Sequence, residues 1–153
     1  MVYTKLLSPK SVQLHLEAAS ADDVLESLVD LLIQADPDLA SRRGELVGAL
    51  EEREKQGSTA SGRIAIPHVK LPGWEKINMA VAIHPQGVEF HALDGEPVHV
   101  FFVVARPEAG PDEHIGLLRW IAGIAHHPDF VSFALQAETP GQVVDLLTEL
   151  SPV

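Results

Sequence analysis

The residues best placed to do chemistry in this sequence lie together between Arg53 and His68, in the run Arg-Glu-Lys-Gln-Gly-Ser-Thr-Ala-Ser-Gly-Arg-Ile-Ala-Ile-Pro-His. A helix is expected to end at Gly57, small hydroxyl residues and a second glycine follow, and a short apolar strand then stops at Pro67 and presents His68 at its edge. Strand ends are where α/β folds place ligands. Proline fixes the backbone just before the imidazole, and a nucleophile held on a rigid element loses less entropy on reaction. Ser58, Thr59 and their neighbours offer hydroxyls and N–H groups of the kind that cradle an anion. An imidazole near its ordinary pKa of about 6.5 is largely neutral and nucleophilic at neutral pH. A lone histidine is more often a satisfied structural group, and the residue types by themselves favour that reading without excluding the other.

Other chemistries lack their patterns. The Gly-x-x-x-x-Gly-Lys-Ser/Thr spacing that cradles nucleotide phosphates is absent, as are a Gly-x-Ser-x-Gly elbow and a His-Glu-x-x-His pair. The chain has no cysteine, which excludes disulfides and thiolate metal sites. Of its eight histidines, the adjacent His126 and His127 do not easily converge on one ion, and His84, His91 and His99 form only a weak candidate set. No metal and no cofactor are expected.

Charge narrows the partners. The net charge of −11 repels phosphate backbones and argues against nucleic acid. Between Arg53 and Lys76, however, five basic residues stand against Glu54 and Glu75, a local balance of +3 that leaves −14 on the remainder. A basic strip in an acidic body is either an unevenly charged solvated surface or an anion site, and His68 lies inside it. The longest apolar run, Val100 to Ala105, falls far short of the ~20 residues of a membrane span. The N-terminus also lacks a signal-peptide run, so a cytoplasmic protein with no direct membrane insertion is expected.

The elements that would position this strip read as alternating strands and helices. With 153 residues, 46% of them hydrophobic, the chain is long enough for one domain with its own core. Val12, Leu14 and Leu16 alternate with polar residues as in a half-buried strand. Ser20 and Asp23 resemble a helix start, with Val24, Leu25, Leu28, Leu31 and Leu32 at helical spacing to about Gln34. A second helix is expected from about Ser41 to Gln56, capped by Gly57. Strands follow at Arg63 to Pro67, Asn78 to His84 and Val98 to Ala105; the continuous Val-Phe-Phe-Val-Val of the last reads as covered on both faces. Pro111 lies near the start of an expected long helix with the stripe Leu117, Leu118, Ile121, Ala122 and Ala125. Asp129 is expected to cap a short helix through Leu135, and Thr139-Pro140-Gly141-Gln142 to open a last one through Leu150. The fold class is a three-layer α/β domain with a mixed, mostly parallel sheet and helices on both faces. His114 falls in the first turn of the long helix, three, four and seven residues before Leu117, Leu118 and Ile121. It therefore shares the buried face at the positive end of the helix dipole, a place suited to anions.

Gly57-Ser58-Thr59 followed by Ile64-Ala65-Ile66-Pro67-His68 resembles the active-site segment of the enzyme IIA domains of the bacterial phosphotransferase system, in the fructose and mannitol class (type 2) that includes nitrogen-regulatory enzyme IIA. Leu7-Ser8-Pro9, Leu93-Asp94-Gly95-Glu96-Pro97-Val98, Pro107 and His114-Ile115-x-x-Leu118 fit the same family, so the resemblance covers nearly the whole of 1–153 as one such domain. It implies a transferase component with a phosphohistidine intermediate: the histidine phosphocarrier protein phosphorylates His68 on Nε2, and an enzyme IIB in sugar uptake removes the group. The alternative within the family is a nitrogen-regulatory module whose binding to a regulated partner protein is switched by phosphorylation. His114 matches the family's second histidine, and Arg53 matches its arginine ahead of Gly-Ser-Thr, whose guanidinium fork suits phosphoryl oxygens. Ser58 and Thr59 are expected to bind the phosphoryl group with them. The chain departs from the usual Gly-x-Gly before the strand: only Gly62 is present, the loop is one residue shorter, and Arg63 would either add a phosphate contact or crowd the site.

Overall fold

The computed structural model describes residues 3–108 and 111–151, and its architecture follows from one strand. Strand β6 (Val98–Pro107) is buried without interruption from Val100 to Ala105. Successive side chains of a strand point to opposite faces, so this single run serves two cores. Phe101, Val103 and Ala105 pack with Leu28, Leu32, Leu46 and Leu50 on one face. Val100, Phe102 and Val104 pack with Leu117, Ile121, Phe130, Val143 and Leu147 on the other. A strand polar on alternate positions would leave one of these helix layers without an apolar floor.

Around β6 the sheet builds outward. Strand β5 (Asn78–Val88) pairs with it antiparallel, and the short β1 (Val12–Gln13) lies parallel on the far side of β5. On the other edge of β6, β2 (Ala60–Ser61) forms a hairpin with β3 (Ile64–Ala65), and β3 and β4 (His68–Leu71) both run parallel to β6. Three of the pairings among the described residues are thus parallel and two antiparallel. Helices α1 (Ala21–Ala35) and α2 (Arg43–Lys55) cover one face. Helices α3 (Pro111–Ala125), α4 (Phe130–Gln136) and α5 (Pro140–Leu150) cover the other, completing the mixed three-layer α/β fold.

Helix starts follow local chemistry. The Ser20 hydroxyl accepts the Asp23 N–H at 3.2 Å, and the Thr139 hydroxyl accepts the Gln142 N–H at 3.2 Å. Several expectations need correction. Asp129 sits at the N-cap of α4 but its side chain makes no capping bond, and α2 begins at Arg43 because a 3-10 turn, Pro37–Arg42, occupies the expected first residues. The first strand is only two residues long; Val12 packs on the α3 side whereas Leu16 packs on the α1 side, so the expected alternation breaks between them although the Leu16 N–H still donates to the Ile83 carbonyl of β5 at 2.9 Å. The buried stripe of α3 is Leu117, Trp120, Ile121 and Ile124, rotated from the expected one because α4 and α5 pack beside it.

The largest correction concerns His68. It does not end a strand but opens β4, and β3 and β4 form one line along β6. Ile64 pairs with Val100 and His68 with Val104, so the register continues through Ile66 and Pro67 without a slip. Proline has no N–H to donate, which interrupts the ladder, but its carbonyl still accepts the Val104 N–H at 3.0 Å.

Candidate functional site

His68 occupies the first position after this interruption. Its Nδ1 lies 2.6 Å from the carbonyl oxygen of Ile66. A carbonyl only accepts, so in the neutral ring Nδ1 carries the proton and Nε2 keeps its lone pair. The two-residue reach to Ile66 is closed by Pro67, which holds the backbone between donor and acceptor. His68 is half-buried, and its pKa is lowered, first by burial and then by the charges of Arg53 and Arg106, while the Ile66 bond and Glu54 act the other way. A neutral imidazole with an available Nε2 is the result.

His114 comes to the same place from the first turn of α3. Its ring centroid lies 5.5 Å from that of His68, with the planes tilted by 43°. It is 8% exposed, and its buried Nδ1 has no hydrogen-bond partner. Burial, then Arg106, His68 and Lys70, push its pKa down to about 4. Arg106 arrives from β6, paired in register with Lys70 of β4. It is 6% exposed, donates from Nη1 to the Pro107 carbonyl at 3.0 Å, and leaves Nε buried without a partner.

These side chains line an open cleft of about 410 Å³ together with Arg53, Glu52 and Gln56 of the α2 end. Arg53 donates from Nη1 to the Gly57 carbonyl at 2.9 Å, which ties the helix terminus to the loop. Three cationic side chains, Arg53, Lys70 and Arg106, thus stand against the single carboxylate Glu52 at the cleft. In a chain of net charge −11 this local reversal suits an anion. A nucleophilic nitrogen, a neighbouring neutral imidazole and flanking guanidinium groups are the parts that transfer of a phosphoryl group needs.

Of the residues expected here, His68, His114 and Arg53 are brought together, whereas Ser58, Thr59 and Arg63 do not line the cleft. The Ser58 hydroxyl accepts the Ala60 N–H at 3.0 Å, and the residue lines a separate cavity beside Leu25 and Phe90. Thr59 gives both its donors to Glu54, the hydroxyl at 2.8 Å and the N–H at 3.2 Å. Short hydroxyl side chains satisfy nearby backbone and loop groups first, and here that leaves the anion cradle to other residues. Arg63 has φ 69° and follows Gly62 at φ 63°, the two left-handed positions of a tight hairpin turn between β2 and β3. Arg63 therefore fills the position where the expected motif has its second glycine, at a cost of about 1–2 kcal/mol for a residue with a Cβ. The Asp94 carboxylate accepts the Gly62 N–H at 2.8 Å and braces that turn, while the Arg63 charge bears on His99.

Sequence reading counted Lys70 in the basic strip without assigning it to the site, and missed Arg106. Arg106 did leave a signal, a single charge closing a run of six apolar residues, which no solvated strand would need. Among the described residues no group of three histidine, aspartate or glutamate side chains is arranged to hold a metal ion, and no helix is long and apolar enough to cross a membrane.

Residues 5–150 match the family model described as phosphoenolpyruvate-dependent sugar phosphotransferase system, EIIA 2. The chain is 36% identical over 126 residues to the nitrogen regulatory protein of Pseudomonas aeruginosa, covering 82% of this chain and 80% of that one. It is 29% identical over 152 residues to the fructose-specific EIIABC component of Bacillus subtilis; the match takes in 97% of this chain but spans only 23% of that larger protein. Among solved structures, nitrogen regulatory protein IIA-Ntr from Neisseria meningitidis superposes with a TM-score of 0.87 at 26% identity, over 96% of this chain and 99% of that one.

Proposed function

We propose that this chain, which belongs to the EIIA 2 family of the phosphoenolpyruvate-dependent sugar phosphotransferase system, acts as one domain that carries a phosphoryl group on His68 Nε2 between two protein partners. The observation that carries the reading is the 2.6 Å bond from His68 Nδ1 to the Ile66 carbonyl, which assigns the lone pair to Nε2. In the transfer step that lone pair attacks the phosphorus of a donor phosphohistidine. A P–N bond forms at His68 as the donor's P–N bond breaks, and the donor imidazole leaves with the electron pair. The proton on Nδ1 stays in place, so no separate base is required. Arg53 and His114 bind the phosphoryl oxygens in this reading, with the His114 ring as a neutral N–H donor.

The donor in this reading is the histidine phosphocarrier protein, and the acceptor is an enzyme IIB in sugar uptake. The fructose-specific component of Bacillus subtilis supports that acceptor. A second reading, a nitrogen-regulatory module whose phosphorylation switches its grip on a regulated partner, is supported by the 36% identity to a nitrogen regulatory protein matched over 80% of its length. Incubation with phosphoenolpyruvate, enzyme I and the histidine phosphocarrier tests the shared core. An acid-labile, base-stable adduct is expected on the parent and lost in His68→Ala. Equal labelling of the two would refute the assignment, and the proteins retained by the phosphorylated and free forms separate the acceptor from the regulatory reading.

A further inference from the structure

We propose that Arg106 contacts the transferred phosphoryl group directly, as the guanidinium that neutralises the dianion once His68 carries it; the inference rests on the phosphocarrier reading above.

Placement comes first. Val104 pairs with His68 and Arg106 with Lys70, so Arg106 stands one strand over and one pleat further along. Residues two apart on a strand share a face, and Val104 faces the α3 side of the sheet, which puts Arg106 on the face from which His114 enters the cleft.

Burial comes next. Arg106 is 6% exposed, and no carboxylate among the described residues pairs with it; its bond to the Pro107 carbonyl uses one of five N–H donors. A desolvated cation without an anion is costly, and the same atoms become favourable when a dianion enters. His114 Nδ1 and Arg106 Nε are both buried, both without partners, and both at this cleft. Two unsatisfied donors or acceptors flanking one nucleophile describe a site completed by its ligand. Arg53 also spends one N–H on a backbone carbonyl, that of Gly57, but it is only half-buried, so its charge stays partly solvated where that of Arg106 does not.

The same charge also acts before transfer. Arg106 lowers the pKa of both His68 and His114, which keeps the nucleophile and its neighbour neutral. When the phosphoryl group arrives, the guanidinium that opposed imidazolium formation faces the phosphoryl oxygens instead.

Arg106→Met and Arg106→Lys in the full chain test this, read by rapid-quench transfer from the phosphorylated histidine carrier, by NMR titration of the imidazoles, and by thermal melting. In Arg106→Met, transfer to His68 is expected to slow by about 10² or more. Both imidazoles should titrate at higher pH, and the melting temperature should hold or rise because an uncompensated buried charge is gone. Arg106→Lys should restore the imidazole titrations while recovering only part of the rate, since an ammonium cannot make a bidentate contact. Transfer at the parent rate in Arg106→Met overturns the proposal. So does slow transfer accompanied by unmoved titrations and a lower melting temperature, which marks a scaffolding residue. A parent chain that takes no label on His68 refutes the phosphocarrier reading itself, and only that result does so.

Discussion

The rings of His68 and His114 stand 5.5 Å apart at a 43° tilt, one from the start of β4 and the other from the first turn of α3. Burial first, and then the charge of Arg106, oppose protonation of His114, to which the neighbouring His68 adds; burial, Arg53 and Arg106 oppose that of His68. Both are neutral at pH 7 as a result. In the phosphocarrier reading, one offers a lone pair, fixed by Ile66, and the other a neutral N–H donor.

That division of roles predicts different outcomes for substitutions at His114. His114→Ala should still accept the phosphoryl group on His68, but rapid-quench transfer should slow by up to ~10² to 10³, the loss of one transition-state hydrogen-bond donor. His114→Gln keeps an N–H and should regain part of the rate. Equal rates in all three proteins would reduce His114 to a packing residue, and label on His114 itself would reverse the assignment.

Acid stability follows from the same pair. An unfolded histidine titrates near 6.5, whereas folded His114 titrates at about 4. Between those values the unfolded chain holds a proton that the folded chain lacks, so stability rises with pH and is lost as pH falls from about 6.5 through about 4. The lowered pKa values of His68 and His99 act in the same direction. Urea midpoints measured from pH 7.5 to 4.5 should fall steeply for the parent and less steeply for His114→Gln, while an identical slope would contradict the burial assigned to His114.

The N-terminal turn is locked to α3 by a missing side chain. The Tyr3 hydroxyl sits where a Cβ on Gly116 would stand, and the Tyr3 ring packs on Trp120 with centroids 5.5 Å apart. An exposed helical Gly→Ala change normally gains about 1 kcal/mol. Here that gain is offset by displacing Tyr3 from Trp120, a contact worth about 0.5–1.5 kcal/mol. Gly116→Ala should therefore be near neutral in the parent and stabilising by about 1 kcal/mol in a Tyr3→Ala background. Chemical denaturation of the four proteins closes the cycle, and additive effects would show that the two residues do not compete.

Pro67 joins β3 to β4 while keeping their common register on β6. Replacing it by alanine should lower stability by about 0.4–1 kcal/mol through the freer unfolded chain. It should also slow transfer, because the segment between Ile66 and His68 gains backbone freedom. A parent-like rate in Pro67→Ala would show that the Ile66 bond orients the imidazole unaided.

Much of this arrangement was written in local patterns. The six apolar residues from Val100 to Ala105 announced a strand covered on both faces, the caps at Ser20 and Thr139 opened α1 and α5, and the Ile-Ala-Ile-Pro-His segment pointed to the family and with it to His68 and His114. Such features depend on neighbours a few residues away, and periodicity and capping report them directly. What tertiary structure alone decided depends on groups far apart in the chain. The parallel register of β4 on β6 sets Lys70 beside Arg106, thirty-six positions later, and brings a buried guanidinium to His68. Ser58 and Thr59 had the right chemistry for an anion, but Glu54 lay closer and claimed both donors of Thr59, while Ser58 faces a separate cavity. The residue types declared which groups were able to bind a phosphoryl oxygen, and only the packing of strand against strand determined which of them remained unpaired to do so.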